Sequence, residues 1–96
     1  MHDANGFYYH PNPEEIRSRV YVRQGPGDIE FRLWHADYPE VWERHGWVPY
    51  AMIEKLAVMY KEQGRGSSDP LTLYDINVAR ALVKEQRRKQ EQQTAN

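Results

Sequence analysis

Between Arg17 and His35 the chain can be folded back on itself about Pro26 and Gly27 so that both faces of the resulting hairpin are chemically consistent. One face then places Arg23 opposite Glu30, Tyr21 opposite Arg32 and Arg19 opposite Trp34, while Val22 meets Phe31 and Val20 meets Leu33 on the other. Opposite charges, arginine against a ring, and apolar against apolar are the cross-strand pairs that stabilise a ladder, at about 0.2–1 kcal/mol each. A slip of one residue mixes the two faces, so the pattern specifies its own register. The expected strands cover residues 17–24 and 29–35.

An isolated two-stranded hairpin is marginal in water, so the apolar face of Val20, Val22, Phe31 and Leu33 requires a cover. Three helical segments are available, at about residues 38–45, 49–63 and 72–88. The first carries a start signal, Asp37 with Glu40 three residues on, and Gly46 ends it in the left-handed conformation. Pro49 opens the second, where Met52, Ile53, Leu56, Ala57 and Tyr60 fall at helical spacing, and Gly64 closes it. Thr72 and Asp75 stand in capping-box spacing before the third, whose stripe is Ile76, Ala79, Leu82 and Val83. Beyond Val83 nothing apolar remains to bury, which predicts a frayed, partly disordered polar tail over about 89–96. Gly64 to Pro70 has linker composition. The first thirteen residues hold Gly6, Pro11 and Pro13 without periodicity and are expected to form an irregular arm that docks through Phe7, Tyr8 and Tyr9. Asn12, Pro13 and Glu15 fit one helical turn after it. The fold class is therefore α+β, a two-stranded antiparallel hairpin on two or three helices in a single domain spanning residues 1–96.

Composition narrows the chemistry. The chain has no cysteine, which removes disulfides, thiolate metal sites and thiol nucleophiles together. No apolar run is long enough for a membrane span, and the amino terminus lacks a secretion signal, so a cytoplasmic location is expected. The net charge is −1, yet from Arg80 onward five basic residues face two acidic ones, a surplus of three that leaves four net negative charges before it.

Catalytic and metal readings find little support in the spacing. His35, Asp37, Glu40, Glu43 and His45 lie within eleven residues, but a helical metal site needs its ligands on one face. The two histidines flank the helix at opposite ends, so solvated side chains are the better account. A metal-dependent enzyme built on His35, His45 and Glu43 is the third-ranked reading. His2, Asp3 and His10 lie on the arm, a poor support for reactive geometry. Ser18, Ser67 and Ser68 lack a nucleophile-elbow context, and Gly25 to Gly27 joins two strands rather than cradling a phosphate. No catalytic residue, cofactor or metal ligand is assigned, and the chain is read as a non-enzyme.

Three tryptophans, seven tyrosines and two phenylalanines exceed the needs of so small a core. The first reading is a protein-interaction or accessory domain, homodimeric or with a protein partner, using Arg19, Tyr21, Arg32, Trp34, Tyr38 and Tyr50 or an open sheet edge. The second is single-stranded RNA binding through Arg19, Tyr21, Arg32 and Trp34, opposed by the acidic remainder of the chain and by pairing within that face. Trp42 and Trp47, beside the Gly46 bend, are expected to close the hairpin onto the helices.

Overall fold

The structure, a computed structural model, describes residues 1–64 and 70–94. The expected linker lies mostly outside these residues, as do Ser67, Ser68 and the last two residues of the expected tail. The hairpin forms in the predicted register. Strand β3 (Ser18–Gln24) pairs antiparallel with β4 (Ile29–His35), with Arg23 opposite Glu30, Tyr21 opposite Arg32 and Val20 opposite Leu33. Gly25 N–H donates to the Asp28 carbonyl at 2.8 Å and closes the turn.

The α+β class holds, but the sheet has five strands rather than two. The aromatic arm is not irregular: β1 (His2–Asp3) and β2 (Gly6–Tyr9) form a small hairpin, and β2 adds to β3 with Phe7 opposite Val22 and Tyr9 opposite Val20. On the other side β5 (Val48–Pro49) pairs with Glu30 and Phe31, giving the meander order β1-β2-β3-β4-β5. Pairing satisfies the arm's backbone groups while Phe7 enters the core, and both gains exceed what an unpaired arm obtains. The outermost strands have two residues each, and because β5 pairs only with Glu30 and Phe31, the outer edge of β4 from Arg32 to His35 has no strand beside it among the described residues. Residues 12–15 make one hydrogen-bonded turn, closed by Glu15 N–H on the Asn12 carbonyl, and Asn12 Oδ1 caps it as expected by accepting from the Glu14 N–H at 3.1 Å.

One face of the sheet carries the core. Phe7, Val20, Val22 and Phe31 pack against Ile53 of α2 (Tyr50–Glu62) and Ala79 and Leu82 of α4 (Ile76–Thr94). The expected third helix is broken in two: α3 (Pro70–Leu73) and α4 are separated at Tyr74 and Asp75. Tyr9 explains the break, because its partly buried hydroxyl donates to the Leu73 carbonyl at 2.7 Å and accepts from the Asp75 N–H at 2.9 Å. Asp75, not Thr72, then caps α4 by accepting from the Asn77 N–H at 2.9 Å. The helix does not fray after Val83 but continues through Thr94. Part of that extension lies over the β1-β2 hairpin, where the Lys89 ammonium sits 5.2 Å from the Phe7 ring centroid.

The other face of the sheet is covered by α1 (Glu40–His45). Pro39 precedes this helix without any side-chain cap, contrary to the Asp37 and Glu40 signal, because Asp37 is drawn into an ion pair with Arg17. Gly46 ends α1 at φ 59°, as its sequence position suggested. That sharp turn returns the chain to the sheet edge at β5. No helix among the described residues is long and apolar enough to cross a membrane.

Candidate functional site

Strand alternation sends Arg19, Tyr21, Arg23, Arg32 and Trp34 to the face away from the core, as expected. Their surroundings differ from the open platform that the pattern suggested. Tyr21 is only 1% exposed. Its ring lies 5.2 Å from Tyr8 of β2 and 5.2 Å from Trp42 of α1, and its hydroxyl donates to Asp3 Oδ2 at 2.5 Å. Neither covering element belongs to the hairpin, so alternation within it reports the direction of the tyrosine but not its burial.

The neighbouring arginines are equally engaged. Arg19 lies between the Tyr8 and Trp34 rings, 4.5 and 4.8 Å from their centroids, and pairs with Asp3 at 2.9 Å. Arg32 lies 3.8 Å from the Trp42 centroid, and Arg23 lies 4.2 Å from the Trp47 centroid while pairing with Glu30 at 2.6 Å. Trp42 and Trp47, 6.3 Å apart, therefore close the outer face and not the seam between hairpin and core helices. Such contacts contribute about 0.5–1 kcal/mol each at partly exposed sites. The Asp3 carboxyl is raised by desolvation, but the Tyr21 hydroxyl, the Asn5 N–H and the Arg19 charge together outweigh this and hold it below its ordinary value. Burial and the Asp3 hydrogen bond push the Tyr21 hydroxyl up. Each of the Trp34, Trp42 and Trp47 rings thus carries one arginine on a face and remains partly exposed.

The remaining expected residues are dispersed. Tyr38 is exposed beside the His35 ring, whereas Tyr50 leans on Phe31 at 6.0 Å and belongs to the margin of the core. The cluster from His35 to His45 does not converge: His35 Nδ1 accepts from the Asp37 N–H, Glu43 lies near Arg32, and His45 faces a separate cleft. Among the described residues no three histidine, aspartate or glutamate side chains are placed to share a metal ion.

That cleft, of about 700 Å³, lies between α2, α3 and the approach to β3. Leu56, Tyr60, Leu73 and Tyr74 line it, with Ser18 and His45 among its polar groups. Burial, with a smaller influence from Tyr60, raises the Tyr74 hydroxyl above its ordinary value.

A further surface was not foreseen. Met52 was expected to face inward with Ile53 and Leu56, but it is 48% exposed, together with Val58 at 56% and Met59 at 48%. These three lie on the outward side of α2, beside a shallow groove lined by Ala51, Glu54, Lys55, Val58 and Met59. The sequence did hold a signal for it. Val58 and Met59 cannot share the side defined by Ile53, Leu56 and Tyr60 at 3.6 residues per turn, so α2 carries apolar residues all round. Comparison with known protein families, with curated proteins and with solved structures gives no match.

Proposed function

We propose that the protein is a small interaction domain that self-associates through the outward face of α2. The observation that carries this reading is the exposure of Met52, Val58 and Met59 on one helix side. Methionine is favoured at contact surfaces because its flexible thioether adapts to the opposing shape. The hairpin's arginines and rings, by contrast, are already engaged with one another.

A second copy is the occupant favoured by the charge pattern. Lys55 and Glu62 share the outward stripe and lie on either side of Val58 and Met59. In an antiparallel two-fold pairing centred between Val58 and Met59, Lys55 of each copy meets Glu62 of the other, and the apolar pair meets itself. Such a patch is self-complementary, as an isologous interface requires.

Light scattering over a range of concentrations tests this. The expected result is twice the chain mass, reduced to one by Lys55→Glu and restored when Glu62→Lys is added. A monomer at every concentration, a charge swap that fails to restore the dimer, or a monomer that uses α2 to hold a different protein would each overturn the reading.

A further inference from the structure

We propose that the outward side of α4 is a docking stripe for the phosphate backbone of a nucleic acid. Arg80, Lys84, Arg87 and Arg88 are all exposed on this helix. Arg80, Lys84 and Arg88 follow one another at four-residue intervals and share one side, with Arg87 flanking them. Along α4 five cations, Arg80, Lys84, Arg87, Arg88 and Lys89, stand against two acidic residues, Glu85 and Glu91.

The two sets of cations in the molecule differ in kind. Arg19, Arg23 and Arg32 on the sheet and Arg17 just before β3 each face a carboxylate, and the three on the sheet also lie over rings. The four on α4 form no ion pair with a described side chain. Among the described residues Arg44, Lys55 and Lys61 likewise show no ion pair, but only the α4 cations form a regular array at four-residue intervals. A polyanion is the charge complement of such an array.

The character of the stripe selects among polyanions. A protein partner is ordinarily held by a buried aromatic or aliphatic anchor ringed with polar contacts, and the Arg80, Lys84 and Arg88 side offers no large apolar residue. A membrane-surface helix must sink its apolar face into lipid, but Ala79, Leu82 and Val83 are already buried in the domain. A phosphate backbone needs neither, since contacts to it are electrostatic and indifferent to sequence. Three of the four cations are arginines, whose planar fork binds phosphate in bidentate fashion. From Arg80 to Arg88 the helix rises about 12 Å, which at about 3.4 Å per nucleotide of one strand corresponds to about four phosphates for four cations.

Fluorescence anisotropy of the full chain with a labelled single-stranded oligothymidine, and with a duplex of equal length, tests the proposal. With about four phosphates neutralised, the logarithm of the binding constant falls against the logarithm of salt with a slope of about −3 for the single strand. Arg80→Glu with Arg88→Glu weakens binding at low salt by at least about tenfold, as expected for two lost charge-assisted contacts. That variant places opposite charges four residues from Lys84 on both sides and so favours the helix, which far-ultraviolet circular dichroism verifies. Arg80→Gln with Arg88→Gln shallows the slope by about 1.4. Arg23→Gln on the sheet leaves affinity within about twofold, as a contact outside the phosphate footprint should.

No binding at low salt, a slope near zero, or an Arg23→Gln loss equal to that of the α4 double variant would overturn the assignment. So would equal affinity for polyglutamate, or binding to phosphatidylserine vesicles without binding to either oligonucleotide.

Discussion

Arg32 of β4 is held by Trp42 of α1 in two ways: its guanidinium lies 3.8 Å from the ring centroid, and its Nε donates to the same residue's carbonyl oxygen at 2.9 Å. The second contact occupies a carbonyl within a helix of six residues, while the first covers an indole that would otherwise face water. Arg32→Lys retains the charge but loses the planar stack and the directed Nε–H donor. Urea denaturation should show a loss of about 1–2 kcal/mol, from one cation–π contact and one charged hydrogen bond. Glu43→Gln provides the contrast. Its carboxylate is 3.9 Å from Arg32 and 83% exposed, so the change should stay within about 0.5 kcal/mol.

Tyr9→Phe removes a hydroxyl that joins the end of α3 to the start of α4. The Leu73 carbonyl and the Asp75 N–H then lose their partner in a partly buried site, at a cost of about 1–3 kcal/mol. Burial pushes this hydroxyl up to about 12, against an ordinary value near 10. A raised native value stabilises the fold fully below the unfolded value, so this contribution should be lost as pH rises from about 10 to about 12. Thermal melts across that window should show the decline in the wild type and less of it in the variant.

Asp3→Asn addresses the opposite end of the pH scale. Since Asp3 lies below its ordinary value, its contribution is complete above about pH 3.9 and disappears as pH falls through the lower native value. The variant should be less stable by about 1–2 kcal/mol at neutral pH, because the Arg19 and Tyr21 contacts lose their charge assistance. Its acid unfolding curve should also be flatter below pH 4. An unchanged curve would show that the β1 anchor does not contribute.

Gly25→Ala should destabilise the hairpin. A Cβ at this position would lie 2.6 Å from Glu30 Cδ and 2.9 Å from the Asp28 carbonyl oxygen. The side chain can turn aside, but the carbonyl is held by the turn's own hydrogen bond. An increase of about 1–3 kcal/mol in the cost of folding is expected from denaturant melts. Gly27→Ala, with nothing within 4 Å of the added carbon, serves as the control.

The legible part of the fold is local. Turn and strands lie within nineteen residues of one another, and the charge pairs and apolar pairs of the hairpin coincide in a single register. The end of α1 at Gly46 was readable for the same reason, since a cap acts on its immediate neighbours, whereas α2 starts at Tyr50 and Pro49 belongs to β5 in extended conformation. The pairing of Phe7 with Val22 was not readable, because its partner lies beyond two prolines and an irregular turn. Nor was the break at Tyr74, which is set by a hydroxyl more than sixty residues away.

The order of side chains alone decided the hairpin register, the α+β class and the direction in which each hairpin residue points, because these follow from a two-residue period and short-range turns. Tertiary structure decided which of those residues meet water. Tyr21 points away from the core as its position requires, yet it is buried because Tyr8 and Trp42 arrive from distant segments. Exposure is a property of what lies above a residue, and a period of two carries no information about that.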